Sequence, residues 1–553
     1  MSDAFWEDGA VDGTRAEVVW RVARDPQLLR IQLSFVAFAF AEHATWLAIL
    51  VYAYERGGVR EAGAVSAVLL APAVVLAPFA AYAGDRFRPE RVLALGYTAQ
   101  ALSMLATALA MWTGQPLMAY ATGAVVATCV TFSRPVMGAI LPIVAHTPND
   151  LVAANVVTGL TEYVGMFVGP LVAAVVLADG TPAVVFAICA AVVGAGALLS
   201  SRLRLTHADL PRTLEIDAGG VLTEMLGGLR ALAEHGTMRV LVVMVGVGAL
   251  TSGVTDVLMV TFSESRLDAG GGAAGVLGAG LGVGAVLGAV ASAGLIGRSR
   301  LLPYLVASAL LSAVPYFALT GIDGLLPAVV MFMAFGIGES LLHVTTGVGI
   351  QRGAPDHVVA RIFGVSESLQ MALMAVGSLL VSVLVSALGL DAALAIIGTL
   401  TAIGLLVGGT RFRRLGGDVP PPPEHIVERV LADPVFLHLG GPAAARLADR
   451  IEIVTVQPGD VVIAEGEPGD RYYLVVAGRL VATIGGEDVG EISAGGSFGE
   501  IALLRDVPRS ATVTCVTPAE LYAISRDDFL TTVTGHPRSL ATATKIADDL
   551  APR

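Results

Sequence analysis

The segment FGEIALLRDVPRSATV, from Phe498 to Val513, combines residue types that suit an anion with a hydroxyl group beside it. Gly499 lets the backbone approach a ligand closely, and successive N–H groups beside a short helix can form an anion nest. Arg509 can add a bidentate, charge-assisted grip on a phosphate. Glu500 is unsuited to an anion, but its carboxylate can accept a hydrogen bond from a hydroxyl. The segment therefore predicts an anion site.

A second set of ionisable residues lies inside long apolar runs. Each costs about 2.5–3.5 kcal/mol to insert into lipid, so it usually faces a cavity or a partner. Glu42 and Glu339 lie near the middle of their runs, and His343 shares a helix face with Glu339 at a spacing of i,i+4. The whole set comprises Glu42, His43, Arg134, Glu162, Asp256, Glu339 and His343.

Composition assigns most of the chain to a membrane. Hydrophobic residues make up 55% of the 553 residues, charged residues only 15%, and the mean hydropathy is +0.74. A soluble protein carries about a quarter charged residues. The net charge of -13 argues against a nucleic-acid partner, which needs a basic face. The three cysteines are far apart, so no disulfide framework or metal site is predicted, and no nucleophile and base pattern indicates an enzyme or a catalytic cofactor.

Apolar runs of about 18 to 25 residues, the length that crosses a bilayer as a helix, predict twelve spans in two groups of six. The first six occupy 28–201 and the second six 238–414, with a more polar central loop at 202–237. The acidic start, 1–27, lacks the basic region and cleavage site of a signal peptide, so we expect it to remain uncleaved and cytosolic. The predicted spans are 28–54, 62–83, 91–112, 116–136, 153–178, 182–201, 238–260, 272–296, 301–320, 324–348, 362–388 and 391–409.

Arginine placement predicts the orientation of these spans. Arginines cluster after spans 2, 6, 8, 10 and 12, whereas the opposite connections are short and, apart from Arg56, Arg60 and Arg266, lack Arg and Lys. By the positive-inside rule both termini are cytosolic. We therefore expect a multi-pass protein of the cytoplasmic (inner) membrane.

Twelve spans in two halves around a cytosolic loop resemble the major facilitator superfamily, over roughly residues 25–410. The sequence AYAGDRFRPERVL after span 2 is similar to that superfamily's loop signature, G-x-x-x-D-R-x-G-R-R. Asp85, Arg86 and Arg91 match the signature, whereas Ala81 stands where it has its first glycine. The resemblance implies that these charged residues belong to a gating loop, which holds the two halves together on the cytosolic side.

Two further motifs lie inside the spans. In span 5, Gly165, Gly169 and Pro170 are similar to the superfamily's antiporter motif, G-x-x-x-G-P. In span 4, Arg134 and Gly138 match the R-x-x-x-G part of a motif linked to proton coupling. The combination resembles exporters more than sugar importers.

In the superfamily's fold, spans 1, 4, 7 and 10 line the central cavity, and all the intramembrane ionisable residues except Glu162 fall on these spans. Packing or a position at the cytosolic rim stays open for Arg134, and solvation near the outer surface stays open for Asp256. Glu162 is expected to orient neighbouring helices. The resemblance implies a transport or proton-coupling role for the cavity residues Glu42, His43, Arg134, Asp256, Glu339 and His343.

The run GGGAAGVLGAGLGVGAVLGAV, from Gly270 to Val290, superficially suggests a nucleotide-binding loop. It contains no strict G-x-G-x-x-G, and no strand precedes it. Gly280, Gly284 and Gly288 instead repeat every four residues, the pattern that allows close helix packing in lipid. We therefore expect a packing role for this run.

After the last span the composition changes. The linker 415–423 is rich in Gly and Pro and should form a short, stiff spacer, so 424–553 is predicted to be a separate cytosolic domain. EHIVERVLADPVFLHL predicts a helix interrupted before Pro434. Short apolar runs between Gly and Pro turns, including RYYLVVAG and RLVATI, then predict the strands of a β-roll or jelly roll. Two closing helices follow, the first capped by Ser525 or Asp527.

This order of elements resembles the cyclic nucleotide-binding domain, over about the last 125 residues. Members of that family hold the nucleotide in a cassette of the form F-G-E-[LI]-[AG]-L followed by P-R-[AST]-A. The resemblance implies that Arg509 holds the cyclic phosphate and Glu500 the ribose 2′-hydroxyl, and Ser510 after the arginine favours cAMP over cGMP. The matching residues are Phe498, Gly499, Glu500, Ile501, Ala502 and Leu503, then Pro508, Arg509, Ser510 and Ala511.

The two resemblances together predict a twelve-helix bundle followed by a β-roll nucleotide-binding domain with flanking helices. The favoured function is secondary active export of an unknown small molecule, with protons as a possible coupling ion, under the control of cAMP or cGMP. One alternative is a membrane-anchored cyclic nucleotide sensor that no longer transports. Another is a transporter whose tail has only a structural role.

Overall fold

The computed structural model describes residues 26–549 apart from 87, 145–147, 204–226, 228, 231, 234, 293–300, 354–355, 416–422, 438, 440 and 535–536. The chain divides into two compact units, one made mainly of the long apolar helices and the other mainly of 418–553. Most of the predicted amino-terminal segment 1–27, the central loop 202–237 and the linker 415–423 lies outside the described residues.

Eleven helices within the described residues are long and apolar enough to cross a membrane. A proline stands at the first position of each of the first five, where its missing N–H is not needed. The helices are α1 (Pro26–Arg86), α2 (Pro89–Trp112), α3 (Pro116–Val144), α4 (Pro148–Asp179), α5 (Pro182–Ser200), α6 (Gly236–Ser265), α7 (Gly270–Ser292), α8 (Leu302–Leu319), α9 (Leu325–Gly353), α10 (Asp356–Leu388) and α11 (Leu390–Arg414).

The first of these helices contains two of the predicted spans. Gly57 and Gly58 leave the helical conformation, with φ of -140° and +64°. A φ of +64° lies in the left-handed region that glycine adopts without a steric penalty. This break separates the predicted spans 28–54 and 62–83, so the eleven helices supply the twelve predicted spans.

Glycines let α7 lie directly against two neighbours. A side chain at Gly284 or Gly288 would collide with the backbone of α9, and one at Gly280 would collide with the side chain of Val329 on the same helix. On another face of α7, a side chain at Gly275 or Gly282 would collide with the backbone of α4. The packing role predicted for this run is therefore confirmed, because close backbone approach replaces side-chain interdigitation here.

The antiporter-like motif of α4 is also a packing surface. A side chain at Gly165 would meet the backbone of Ala39, and one at Gly169 would meet the carbonyl of Phe40, both on α1. Pro170, the next residue of α4, faces glycines of α7. The motif therefore lies where α4 touches α1 on one side and α7 on the other.

The second unit is built around one antiparallel six-stranded sheet in the order β1-β6-β3-β4, with β2 paired to β6 and β5 paired to β3. Helices precede the sheet, interrupt it and close it. The elements are α12 (Glu424–Leu431), α13 (Gly441–Ala448), β1 (Glu452–Val456), β2 (Val461–Ile463), β3 (Arg471–Ile484), β4 (Glu487–Ser493), β5 (Ser497–Phe498), α14 (Glu500–Arg505), β6 (Thr512–Ser525), α15 (Arg526–Thr534) and α16 (Pro537–Asp549).

Strand β3 corrects one prediction. RYYLVVAG and RLVATI are a single strand of 14 residues and not two strands. Gly478 has a φ of +94°, and the pairing of β3 with β6 shifts register on both sides of it. The irregularity therefore bends one strand without ending it.

Alternation along β3 divides the hydrophobic residues of this unit between two cores. Tyr472 and Leu474 join the helices α12, α13 and α15 in one core. Tyr473 and Val475, on the other face of the strand, join the interior of the sheet. The closing helix α15 is capped by Ser525, whose Oγ accepts the N–H of Asp528 at 3.2 Å, as one of the two predicted caps.

Candidate functional site

Arg509 is the centre of the candidate anion site, and its side chain is only 2% exposed. Its Nη1 donates to the carbonyl of Gly499 at 3.0 Å. Its Nη2 donates to the carbonyl of Arg471 at 2.7 Å and to a carboxylate oxygen of Asp470 at 3.3 Å. These bonds use three of the five guanidinium donors, which leaves two without a partner among the described residues.

Gly499 joins β5 to the short helix α14 and has a φ of +101°. A side chain at this position would lie 2.8 Å from Nη1 of Arg509 and 2.9 Å from the carbonyl of Arg471. Glycine is therefore required both by the backbone conformation and by the space beside the guanidinium. Gly499 directly precedes α14, and the first N–H groups of a helix have no partner within that helix.

Glu500 is buried beside this guanidinium, with 4% of its surface exposed. Burial raises the pKa of its carboxyl group, the nearby carboxylate of Asp433 raises it further, and the charge of Arg509 opposes both effects. The site thus offers one cationic group and one hydrogen-bond acceptor in a dehydrated setting. A ligand that carries both an anionic group and a hydroxyl fits this pair.

The other residues of the predicted cassette support these two. Phe498 stacks on Tyr473 with ring centroids 5.0 Å apart. Ala502 is buried, and a side chain at Gly469 would lie 2.6 Å from its Cβ, so the turn before β3 lies directly on α14. Three further cassette residues are half-buried: Ile501, Ser510 and Ala511.

Two residues of the segment that begins with α12 contact the site, and the sequence analysis missed them. Arg429 donates from Nη2 to the carbonyl of Gly496 at 2.9 Å, two residues before the cassette begins. Asp433 is fully buried and accepts the hydroxyl of Tyr472 at 3.2 Å. Burial raises the pKa of Asp433. No local sequence signal marks these residues, because their partners lie far along the chain.

In the membrane unit, the structure brings Glu42, His43 and Glu162 together. One ligand atom of each lies within 4.8 Å of those of the other two, and Nε2 of His43 is 3.6 Å from Oε1 of Glu162. Glu162, which the sequence analysis assigned to helix orientation, therefore shares a cluster with two of the predicted cavity residues.

The other residues that were predicted to line the cavity, where the structure describes their side chains, lie on α6 and α9. Asp256 accepts the indole N–H of Trp46 at 2.8 Å, and Glu339 accepts the hydroxyl of Ser252 at 2.7 Å. His43 lies near both carboxylates, and His343 lies near Glu339. Asp256 is thus hydrogen-bonded to Trp46, a partner that the sequence analysis missed.

Some predicted residues cannot be placed in these groups. The side chains of Asp85, Arg86 and Arg134 lie outside the described part of the structure. Arg91 lies near the start of α2, and its side chain is exposed.

Two of the three arginines that depart from the predicted charge asymmetry, Arg56 and Arg266, have acidic partners. Arg266 pairs with Asp323 and with Asp391, each at 3.0 Å. Arg56 lies 3.9 Å from Glu61. Pairing with nearby acids offsets the positive charge of Arg266 and Arg56.

Comparison with known proteins identifies the two units. The profile of the Major Facilitator Superfamily matches residues 32–378, and that of the cyclic nucleotide-binding domain matches residues 453–536. A crystal structure of the nucleoside transporter NupG has a TM-score of 0.57 and 14% identity, and the match covers 70% of this chain and 99% of that structure. At this identity the likeness shows the fold alone.

Curated relatives match the carboxy-terminal unit. The cAMP-dependent protein kinase regulatory subunit of Yarrowia lipolytica is 42% identical over 98 residues, which cover 17% of this chain and 26% of that protein. The subunit of the same description from Dictyostelium discoideum is 34% identical over 132 residues, which cover 22% of this chain and 40% of that protein. The chain therefore spans less than half of the length of each relative.

The superfamily profile covers more than half of the chain, and eleven described helices are long and apolar enough to cross a membrane. This multi-pass membrane protein belongs to the Major Facilitator Superfamily, and it carries a cyclic nucleotide-binding domain in its carboxy-terminal part.

Proposed function

We propose that the protein is a secondary active exporter of a small molecule, coupled to protons and controlled by cAMP bound to its carboxy-terminal domain on the cytosolic side of the cytoplasmic membrane. The observation that carries the regulatory part is the buried Arg509 beside Glu500 in a cassette that also contacts α12. The transport part is supported by the superfamily membership and by the cluster of ionisable groups within the helices.

The ligand follows from the chemistry of the cassette. Two free donors of Arg509 suit the equatorial oxygen atoms of a cyclic phosphate, and the carboxylate of Glu500 suits the ribose 2′-hydroxyl. The names of the curated relatives favour cAMP over cGMP, as does Ser510.

The regulation requires a route from the cassette to the linker. Gly496 accepts a hydrogen bond from Arg429, and Phe498 begins the cassette two residues later. Arg429 belongs to α12, which begins at Glu424, directly after the linker 415–423. A shift of the cassette on ligand binding would therefore displace the acceptor of Arg429 and move α12. Such a change controls transport only if cAMP binds the inward-open and outward-open states with different affinity.

The test measures the state of the outer side of the bundle and needs no known substrate. Spin labels are attached at Thr113→Cys and Gly321→Cys, two exposed loop positions in opposite halves, in full-length protein whose three native cysteines are replaced. We expect saturating cAMP to change the populations of the distances between the labels. Arg509→Ala should abolish the response through loss of binding.

Arg429→Ala is the matched control for transmission. This variant should still bind cAMP, because the side chain of Arg429 contacts backbone carbonyls outside the proposed phosphate site. The populations of the distances between its labels should change less on addition of cAMP than those of the wild type. Unchanged distances in the wild type at saturating cAMP would contradict regulation. Transport assays on Glu42→Gln and Glu339→Gln then separate a transporter from a sensor, because only a transporter has an activity for these variants to lose.

A further inference from the structure

The cluster of Glu42, His43 and Glu162 joins two carboxylates and an imidazole from α1 and α4. The two helices are held in close contact, because a side chain at Gly169 of α4 would lie 3.0 Å from Cβ of His43 on α1. Close packing of backbones fixes the positions from which the three side chains extend. The cluster is thus anchored on rigid elements and not on loops.

The spacing of the three groups matches the ligands of a metal ion. Bonds of about 2.0–2.2 Å from zinc to nitrogen and oxygen, in tetrahedral geometry, place neighbouring ligand atoms roughly 3.4 Å apart. Nε2 of His43 lies 3.6 Å from Oε1 of Glu162, and all three ligand atoms lie within 4.8 Å of one another. Side-chain adjustments of about an ångström would complete the coordination.

The state of His43 supports this interpretation. Its Nε2 atom is buried and has no hydrogen-bond partner within the described part of the chain. At 3.6 Å, the contact with Glu162 is longer than a hydrogen bond but suits two ligands that share one ion. A buried imidazole nitrogen that makes no hydrogen bond has its lone pair available to a metal.

The electrostatics of the cavity also favour a cation. Asp256 and Glu339 also lie near His43. With Glu42 and Glu162 they make four carboxyl groups, against two imidazoles, among the cavity side chains that the structure describes. A divalent cation would offset the cost of keeping these carboxylates away from water.

We propose that Glu42, His43 and Glu162 bind a divalent transition-metal cation of the zinc class within the membrane unit. This goes beyond the proposed function, because neither export of a small molecule nor control by cAMP requires a metal. Neutral imidazole and carboxylate are ligands that zinc accepts, and their charge balances that of the ion. The two helices that supply them belong to the amino-terminal half of the bundle.

The test is an isothermal calorimetric titration with zinc. It uses the full-length protein in lipid nanodiscs, after a chelator has removed any bound metal. We expect one saturable site in the wild type that becomes at least tenfold weaker in His43→Gln and in Glu162→Gln. His343→Gln, which makes the same chemical change elsewhere in the cavity, should bind zinc within about threefold of the wild type. X-ray absorption of the zinc-loaded wild type should show one imidazole nitrogen together with carboxylate oxygens.

Size-exclusion chromatography and cAMP binding check that each variant is folded. A loss of zinc binding in a folded variant then reports the loss of a zinc ligand and not unfolding. If a variant unfolds, the absorption spectrum of the wild type decides alone. Zinc bound equally by the wild type, His43→Gln and Glu162→Gln would overturn the proposal, as would a zinc-loaded wild type without an imidazole ligand. Regulation by cAMP would stand in either case, because the nucleotide site is in the other unit.

Discussion

Replacement of Arg509 by alanine should remove most of the affinity for cAMP. Among the described residues, the guanidinium has two donors left after its bonds to Gly499, Arg471 and Asp470, and in the proposed site both bind the phosphate. Each charge-assisted hydrogen bond contributes about 1.5–3 kcal/mol, so the pair contributes roughly 3–6 kcal/mol. At about 1.4 kcal/mol for each factor of ten, the dissociation constant should rise roughly 10²- to 10⁴-fold.

The same replacement has a structural cost that must be separated from the loss of binding. Arg509→Ala leaves the carbonyls of Gly499 and Arg471 without this donor, at about 1–3 kcal/mol for each buried acceptor that stays unpaired. The carboxylate of Asp470 contributes little to that cost, because its side chain is 71% exposed and hydrated. Arg509→Lys retains the positive charge but loses the planar guanidinium that can donate two parallel hydrogen bonds. Its affinity for cAMP should therefore lie between those of the wild type and the alanine variant.

The assay is calorimetric titration of full-length protein with cAMP, beside a thermal unfolding curve for every variant. Arg479→Ala is the matched control, because Arg479 is an exposed arginine of the same sheet that pairs with the exposed Glu491 and lies outside the cassette. Its affinity for cAMP should equal that of the wild type. If Arg509→Ala stays folded and binds cAMP within threefold of the wild type, the assignment of the phosphate site to this guanidinium is wrong.

Three further variants test other parts of the structure. Gly499→Ala should lower cAMP affinity and cost about 1–3 kcal/mol of stability, because its φ is +101°, whereas Gly490→Ala, with open space around it, should do neither. Gly284→Leu should lower the melting temperature of the membrane unit by separating α7 from α9, and Gly347→Leu, at a position where an added Cβ would meet no atom of another element within 4 Å, should not. Burial raises the pKa of Asp433, so the folded domain retains this proton to higher pH than the unfolded chain does. That stability is present below the ordinary carboxyl pKa of about 4 and is lost as pH rises through the raised value; denaturant unfolding of Asp433→Asn should therefore show a weaker dependence on pH there than the wild type.

Only some residues of the nucleotide site could be predicted from the sequence. Gly499, Glu500 and Arg509 lie within one short segment, so their spacing alone indicated a common site. Asp470, Arg429 and Asp433 escaped prediction because strand pairing and helix packing bring them to the cassette from earlier parts of the chain.

In the membrane unit, sequence spacing could relate only residues on the same helix. It identified Glu42 and Glu339 as costly charges in lipid, but it could not say which groups meet across helices. The contact of Glu162 with His43 depends on how α4 lies against α1, and the contact of Trp46 with Asp256 depends on α6.

By itself the sequence determined the two-part organisation, the twelve spans and the chemical character of the cassette. These properties are local, because apolar length, turn residues and short motifs act on neighbouring positions. Only the tertiary structure decided that β3 is one bent strand, that Arg429 contacts the cassette and that Glu162 joins Glu42 and His43. Those outcomes depend on backbone packing between distant segments, which a linear pattern does not encode.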